Sequence, residues 1–328
     1  MNGEEPLSDS MWVKLITHME GAYQWAWKPS QTTIWACMEM VCRERRRNPV
    51  VEYLSAIEWD GVPRMDRLLI EGLNLDDNRL HRIYSRRWLI GLIARALQPG
   101  CKHDVMLCVV GPQGYQKSTF FRELVNLPGF DGELFSDTPI NLKDKDSYLA
   151  IYTCWLMEDA EMTASSRAME ESKKAFLSSA IDRLRPPFGR KMRTYKRHTV
   201  LVGSSNELTI LRDRSGSRRY WVVETPKKGT ADIDWVRKHR DQILGEAVAA
   251  FKAGEQWWLT SEEDGIRRLN NQRYQYIDHY AEAAAACWEA NGGGKMNKFT
   301  VAQFGMAIRR DMSIQAKGMG LSSALQRQ

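Results

Sequence analysis

The spacing of apolar positions along the chain divides it into three parts. From residue 11 to 98, apolar residues recur at helical spacing, and turn sequences at Asn48-Pro49 and Gln98-Pro99-Gly100 end the two main helical stretches. Between residues 105 and 225, short apolar runs alternate with helical segments. The last part is helical again, with predicted helices at 231–253, 262–290, 299–310 and 320–328.

The middle part predicts an α/β domain, because strands and helices follow one another with several crossovers. The predicted strands are 105–110, 152–158, 198–204 and 219–224, and the predicted helices are 117–126, 142–150 and 168–181.

The first predicted strand runs into the sequence GPQGYQKST, residues 111–119, and a helix is predicted to begin near Lys117. This is the context of a phosphate-binding P-loop, because loop N–H groups and the helix dipole favour anionic oxygens. In this interpretation Lys117 reaches the β- and γ-phosphates of ATP, and Ser118 binds Mg²⁺. The other nucleotide-binding residues would be Gly111, Gly114, Gln116 and Thr119.

Gln116 departs from the common pattern GxxxxGK[ST], which has a second glycine at this position. Glycine there lets the backbone and neighbouring chain approach closely, and Gly114 can supply flexibility two residues earlier. The alternative is an ordinary turn followed by a surface lysine.

A second group of candidate residues follows the strand predicted at 152–158, within the sequence WLMEDAEM. Acids at the carboxyl end of a strand beside a phosphate loop can hold Mg²⁺ and the attacking water. Glu158 is the first candidate for the Mg²⁺-side acid, and Asp159 and Glu161 compete for the water-activating role. The alternative is a set of solvated acids that favour the start of a helix.

Polar residues also flank the last two predicted strands. Asn206 follows the strand at 198–204 and can hydrogen-bond the γ-phosphate or the water. Arg218 and Arg219 precede an apolar strand and can stabilise charge on a transferred phosphoryl group, within one subunit or across a subunit interface. A simple turn and a solvated basic loop are the alternatives.

Residues 183–198 carry seven Lys and Arg residues, no acid and a predicted tight turn. Such a basic hairpin with aromatic residues can follow phosphates and stack on the bases of single-stranded DNA. A solvated hairpin is the alternative, and Arg185 and Arg197 at its base could instead face nucleotide. The candidate DNA contacts are Lys191, Arg193, Tyr195 and Lys196.

Composition narrows the function classes. With 328 residues and 12 Trp, the chain can build one large or two medium domains, and its charge of +6 weakly favours a polyanionic partner. Long apolar runs, a signal-peptide core, CxxC pairs and an HExxH motif are all missing from the sequence. We therefore expect no membrane span, no export, reduced cysteines and no zinc site.

These segments, in this order, resemble the virulence-associated E family, whose members are ATPases of phages, prophages and satellite elements. The family is related to superfamily 3 helicases of the AAA+ group. The resemblance covers nearly the whole chain and is far more specific than any one motif. Its anchors are NPVVEYLSAIEWDGVPR (48–64), PGCKHDVMLCVVGPQGYQKST (99–119), WLMEDAEM (155–162), KKAFLSSAIDRLRPPFGR (173–190), GSSNE (203–207) and LRDRSGSRRYWVV (211–223).

The resemblance implies roles for the candidate residues. The loop matches the Walker A motif, and Glu158 and Glu161 match the family's paired acids, whereas Asp159 falls where the family usually has an apolar residue. Asn206 matches sensor 1. Arg218 and Arg219 match a pair that is similar to the arginine finger of the helicase relatives, and the basic hairpin stands where those relatives carry a DNA-contacting loop.

The expected fold class is α/β: an AAA+-type P-loop ATPase core at 99–258, with a helical N-terminal collar at 1–98. A helical extension (259–290) and an incomplete winged-helix-like segment (291–328) follow. The expected function is an ATP-dependent DNA helicase or translocase that replicates a phage, prophage or satellite element in the bacterial cytoplasm. It would act as a hexameric ring around single-stranded DNA, with a replication initiator or primase as a further partner. The alternatives are a DNA-binding assembly scaffold with a degenerate nucleotide pocket, and a regulator that interferes with an infecting phage.

Overall fold

The computed structural model describes residues 17–18, 30–44, 47–130, 132–139, 149–160, 167–185, 192–211 and 217–275. The chain divides into two compact units, residues 1–52 and 53–328, and each is described by itself. In the first unit, helix α1 spans Gln31–Glu44, and the Ser30 hydroxyl accepts a hydrogen bond from the amide of Thr33 at its start. Asn48 accepts likewise from the amide of Val51, and helix α2, Pro49–Ala56, begins directly after it.

A five-stranded parallel sheet organises the second unit, with the strand order β2–β3–β6–β1–β7. Every residue of the interior strand β1 is buried, because helices cover both faces of a parallel sheet. The strands are β1 Met106–Val110, β2 Phe135–Ser136, β3 Leu156–Asp159, β6 Val200–Ser205 and β7 Tyr220–Glu224.

Helix α4, Arg79–Leu97, packs on this sheet, and most of its residues are buried. Tyr84 of α4 stacks on Trp221 of β7 with ring centroids 5.0 Å apart. Trp155, just before β3, donates its indole N–H to the Leu92 carbonyl oxygen at 3.2 Å. The helices of this unit beyond α2 are α3 Leu68–Gly72, α4 Arg79–Leu97, α5 Lys117–Val125, α6 Arg167–Ser178, α7 Ile233–Lys252 and α8 Ser261–Asn271.

A separate antiparallel hairpin precedes β6. It pairs β4, Ile181–Leu184, with β5, Arg193–Lys196. At its base the buried guanidinium of Arg197 binds both carboxylate oxygens of Asp182. Because Arg197 comes three residues before β6, the base of the hairpin lies at the amino edge of the main sheet.

The observed elements confirm the predicted α/β class, and the sheet is parallel. Several strands and helices begin or end at residues other than those predicted. The strand predicted at 152–158 begins only at Leu156, because Tyr152 and Thr153 donate to carbonyl oxygens three residues back and form turns. The helix predicted at 262–290 ends at Asn271 and continues as a 3-10 turn, Gln272–Tyr274. The predicted helices after residue 275 and the winged-helix-like segment lie outside the described residues, as does most of the helix predicted at 142–150.

Within the described residues, no helix combines the length and apolar character needed to cross a bilayer. The boundary between the compact units, at residues 52 and 53, lies well before the predicted domain boundary at 98. Helix α4, assigned to the collar from sequence, packs on the sheet through the contacts above. The predicted division into collar, core, extension and winged helix stays a prediction.

Candidate functional site

The loop of residues 111–116 joins β1 to α5 at the carboxyl edge of the sheet. The Gly111 amide donates to the Ser205 carbonyl oxygen at 3.0 Å, and a Cβ at Gly111 would lie 1.9 Å from Oγ1 of Thr225. A residue with a side chain would therefore collide with the end of the neighbouring strand. Gly114 has a φ of +82°, which only glycine adopts without strain. Both predicted loop glycines thus have a backbone role.

Gln116 adopts the left-handed conformation, with φ 66° and ψ 31°. Glycine occupies this region freely, whereas a residue with a Cβ is held there at a cost of roughly 1–3 kcal/mol. The chain therefore keeps a glycine-type backbone at this position and carries a strained glutamine on it. The departure from the common pattern alters the side chain and preserves the turn.

Lys117 is only 7% exposed and points back into the loop. Its Nζ donates to the carbonyl oxygens of Gly111 and Pro112, both at 2.9 Å, and to Oδ1 of Asn206 at 3.0 Å. Burial lowers the pKa of Lys117, and the negative charge of Glu158 opposes that shift. Two predicted site residues, 89 positions apart in the chain, are therefore in direct contact.

Glu158 lies near the end of β3 and is 1% exposed. Its Oε1 accepts a hydrogen bond from the Ser118 hydroxyl at 2.9 Å, while its buried Oε2 has no hydrogen-bond partner among the described residues. Burial raises the pKa of Glu158, and the hydroxyls of Ser204 and Ser118 partly oppose this rise. An unpartnered buried carboxylate oxygen beside a phosphate-type loop is suited to a cation or a water.

The Ser118 hydroxyl and the Glu158 carboxylate are the donors that Mg²⁺ prefers. Among the described residues, no group of three or more His, Cys, Asp or Glu side chains could hold a metal by itself. This small donor set fits Mg²⁺ bound together with a triphosphate, because Mg²⁺ usually takes one or two protein ligands, several waters and substrate phosphate oxygens.

The other two predicted acids have different outcomes. Asp159 accepts a hydrogen bond from Nζ of Lys173 on α6 at 2.7 Å, and both side chains are partly buried. This ion pair occupies the carboxylate, which disfavours the water-activating role considered for Asp159. Glu161 lies outside the described residues, and its role stays a prediction.

Arg218 and Arg219 lie at the opposite edge of the sheet from the loop, in a 3-10 turn that leads into β7. Since Tyr220 to Glu224 run parallel to β1, about 13 Å of strand separates the two edges, at roughly 3.3 Å per residue. Arg219 donates to the Ser178 hydroxyl at 2.8 Å, and Arg218 is exposed. Neither arginine can reach the loop of its own chain.

Two buried residues of α8, missed from sequence, hold this turn in place. Arg267 donates to the Ser217 carbonyl oxygen at 2.8 Å, and Asn271 donates to the carbonyl oxygens of Ser217 and Tyr220 at 3.0 and 2.8 Å. They satisfy backbone groups along the free side of the edge strand β7. No sequence signal marks them, since buried polar residues are recognised only through partners distant in the chain.

A cleft of 710 Å³ surrounds the two arginines, and Trp221, Trp257 and Trp258 contribute to its lining. Trp258 is 56% exposed. An exposed tryptophan among cationic side chains is typical of an interaction surface. This aromatic and basic surface at the amino edge had no counterpart among the sequence predictions.

The structure describes three of the four residues predicted to contact DNA. Arg193 and Lys196 on β5 are exposed, and Lys191 lies outside the described residues. Tyr195 is half-buried, with its ring 5.1 Å from that of Tyr152. Arg197, considered as a nucleotide contact, is instead buried against Asp182 and over the Phe176 ring, 4.1 Å from its centroid.

The chain is thus a mixed α/β protein whose parallel sheet carries a glycine loop, a buried lysine and a buried acid at one edge. It belongs to the virulence-associated protein E-like domain family, whose model matches residues 54–276. The resemblance inferred from the sequence anchors is therefore confirmed. No curated protein matches the chain.

Among solved structures, apo forms of the NrS-1 C-terminal region resemble the chain. One is 14% identical with a TM-score of 0.46, and the match covers 80% of this chain and 66% of that one. Another is 14% identical with a TM-score of 0.46, covering 84% and 70% respectively. The chain spans about two thirds of the first of these structures. At these values the likeness carries no argument about activity.

Proposed function

We propose that the chain is a Mg²⁺-dependent ATPase that works as a DNA helicase or translocase in the replication of a phage, prophage or satellite element. The observation that carries the proposal is the convergence of Lys117, Asn206, Ser118 and Glu158 around one loop at the carboxyl edge of a parallel sheet. In open α/β sheets, ligands bind outside the carboxyl ends of the strands.

The loop supplies phosphate binding. Loop N–H groups and the N-terminus of α5 favour anionic oxygens, and Gly111 and Gly114 give the required backbone. When nucleotide binds, the Lys117 ammonium group leaves the carbonyl oxygens of Gly111 and Pro112 and binds the β- and γ-phosphates. It stays positively charged in both states. Asn206, already in contact with Lys117, is placed to orient the γ-phosphate or the attacking water.

Glu158 supplies the carboxylate on the Mg²⁺ side of the site. When bound at Ser118 and Glu158, Mg²⁺ neutralises charge that develops on the phosphate oxygens. The unpartnered Oε2 of Glu158 is available to the cation or its water.

Arg218 and Arg219 then serve a neighbouring subunit, because the sheet separates them from their own loop. Guanidinium groups supplied across an interface stabilise transferred phosphoryl groups in many NTPases. This arrangement requires an oligomer in which the amino edge of one sheet faces the carboxyl edge of the next. A closed ring, proposed as a hexamer, repeats such a head-to-tail contact.

DNA binding is assigned to the exposed basic residues of the hairpin, Arg193 and Lys196, with Lys191. Lys196 ends β5 next to the base of the hairpin, at the amino edge of the sheet and away from the loop of its own chain. Tyr195 is half-buried and its ring lies against that of Tyr152, so it also packs within the protein. Its proposed stacking on a DNA base would use the part of the ring that remains exposed.

ATP hydrolysis with and without single-stranded DNA tests the proposal. Lys117→Ala should abolish hydrolysis, whereas Lys252→Ala, an exposed lysine at the end of α7, should leave it unchanged. Wild-type protein that binds DNA and neither binds nor hydrolyses ATP would instead support the assembly scaffold with a degenerate pocket.

A further inference from the structure

A polar cleft of 580 Å³ adjoins the loop on the side of α7. Its size falls in the range of ligand pockets, roughly 300–1,000 Å³. The side chains that matter here are those of Asn74, Gln116, Thr119, Thr230, Asp232 and Arg237. None of them was given a role in nucleoside recognition above.

The phosphate site fixes how a nucleotide would enter this cleft. Ser118 faces Glu158, and Thr119, about 100° further round α5, lines the cleft. A nucleotide with its terminal phosphates at Lys117 and Ser118 would therefore extend past Thr119, and its nucleoside would occupy the cleft.

Three of these side chains are already engaged in protein contacts. Asn74 donates to the Thr230 carbonyl oxygen at 2.8 Å, and Asp232 caps α7 through the amide of Trp235. Arg237 binds both carboxylate oxygens of Glu123 at 3.1 Å. A purine base entering the cleft therefore meets three uncommitted side chains among the six, namely those of Gln116, Thr119 and Thr230.

Of these three, Gln116 has the longest side chain and the only amide. Its side chain is exposed and does not cap α5, and among the described residues no hydrogen bond involves its amide. Glycine would provide the same backbone without strain, so the strained glutamine calls for a function of its side chain.

We propose that this cleft holds the nucleoside and that Gln116 selects adenine, an inference that rests on the proposed function. A glutamine amide offers one acceptor and two donors, which match the N6 amino group and the N7 acceptor of adenine. Guanine presents two acceptors at the corresponding positions, and these call for an arginine. Arg237, the guanidinium in the cleft, is held by Glu123.

Binding of ATP, GTP and inorganic tripolyphosphate, each with Mg²⁺, should be measured by calorimetry on the full chain. We expect wild type to prefer ATP over GTP by about 10-fold, or about 1.4 kcal/mol. Gln116→Gly and Gln116→Ala should both lose this preference and keep their affinity for tripolyphosphate. Thermal unfolding should separate them, because only glycine relieves the backbone strain.

Gln113→Gly is the matched control, since Gln113 is an exposed glutamine of the same loop that does not line the cleft. It should keep the wild-type ratio of ATP to GTP affinity. A preference that survives in both Gln116 variants would overturn adenine selection while leaving ATP binding intact. Wild type that binds neither ATP nor tripolyphosphate would overturn the proposed function as well.

Discussion

Glu158→Gln should stabilise the nucleotide-free protein while it abolishes turnover. In the wild type, Oε1 accepts from Ser118, but the buried Oε2 has no partner among the described residues. A poorly compensated buried carboxylate costs several kcal/mol, and a buried neutral amide with an unmet hydrogen bond costs roughly 1–3 kcal/mol. Ser118 donates a weaker hydrogen bond to the neutral amide than to the carboxylate, which reduces the gain in stability of the variant by about 1 kcal/mol.

The net expectation is a gain of about 1–2 kcal/mol at pH 7, or roughly 2–6 °C in Tm for a unit of this size. The pKa of Glu158 in the folded protein is raised above its ordinary value of 4.5 by burial. Its stabilising contribution is therefore present below that ordinary value and is lost as the pH rises through the folded pKa. The advantage of the glutamine variant should accordingly be largest at neutral pH and shrink on acidification.

Thermal unfolding of the nucleotide-free protein between pH 4.5 and pH 7.5 measures this difference. Glu133→Gln, at an exposed glutamate, should change stability by less than about 0.5 kcal/mol across the range. If Glu158→Gln is less stable than wild type at neutral pH, the argument that burial of this carboxylate is poorly compensated is refuted. Retained ATP hydrolysis in the same variant would remove Glu158 from the reaction.

Three further predictions concern the amino edge. Arg218→Ala should lower ATP hydrolysis and retain nucleotide binding, and mixing this variant with Glu158→Gln should partly restore turnover. If stable mixed oligomers show no recovery, Arg218 does not act on the site of a neighbouring subunit. Charge reversal at Arg193 and Lys196 should weaken binding of single-stranded DNA and reduce the slope of log K against log salt concentration by about 0.7 per lost phosphate contact. An unchanged slope in titrations would mean that the hairpin is solvated and does not contact DNA. Asp182→Ala should destabilise the protein by about 3–5 kcal/mol in denaturant unfolding, since it removes the carboxylate that balances the charge of the buried Arg197. A loss below about 1 kcal/mol would show that the pair is dispensable.

Local patterns made the central elements predictable. The apolar run before Gly111, the turn residues after it and the helix at Lys117 are contiguous in sequence, and their order needs no distant partner to be recognised. The same holds for Glu158, near the end of β3, and for Asn206, directly after β6. Parallel strands place their carboxyl ends at one edge, so adjacency of Lys117, Glu158 and Asn206 followed from the fold class.

Other features depend on contacts that the sequence does not encode locally. Arg197 and Arg218 both belong to basic runs, yet one is buried against Asp182 and the other is exposed. Short β2 and the early end of α8 were missed because strand pairing and packing outweigh weak local preferences there.

The sequence by itself determined the family, the α/β class, the loop and the identity of the residues around it. Tertiary structure alone decided that Gln116 keeps a glycine-type backbone, that Asp159 is tied to Lys173, and that the arginine pair lies at the far edge of the sheet. The physical reason is the separation along the chain over which each interaction acts. Periodicity and turn chemistry act over a few residues, whereas burial, ion pairing and strand order depend on groups that folding brings together from distant parts of the chain.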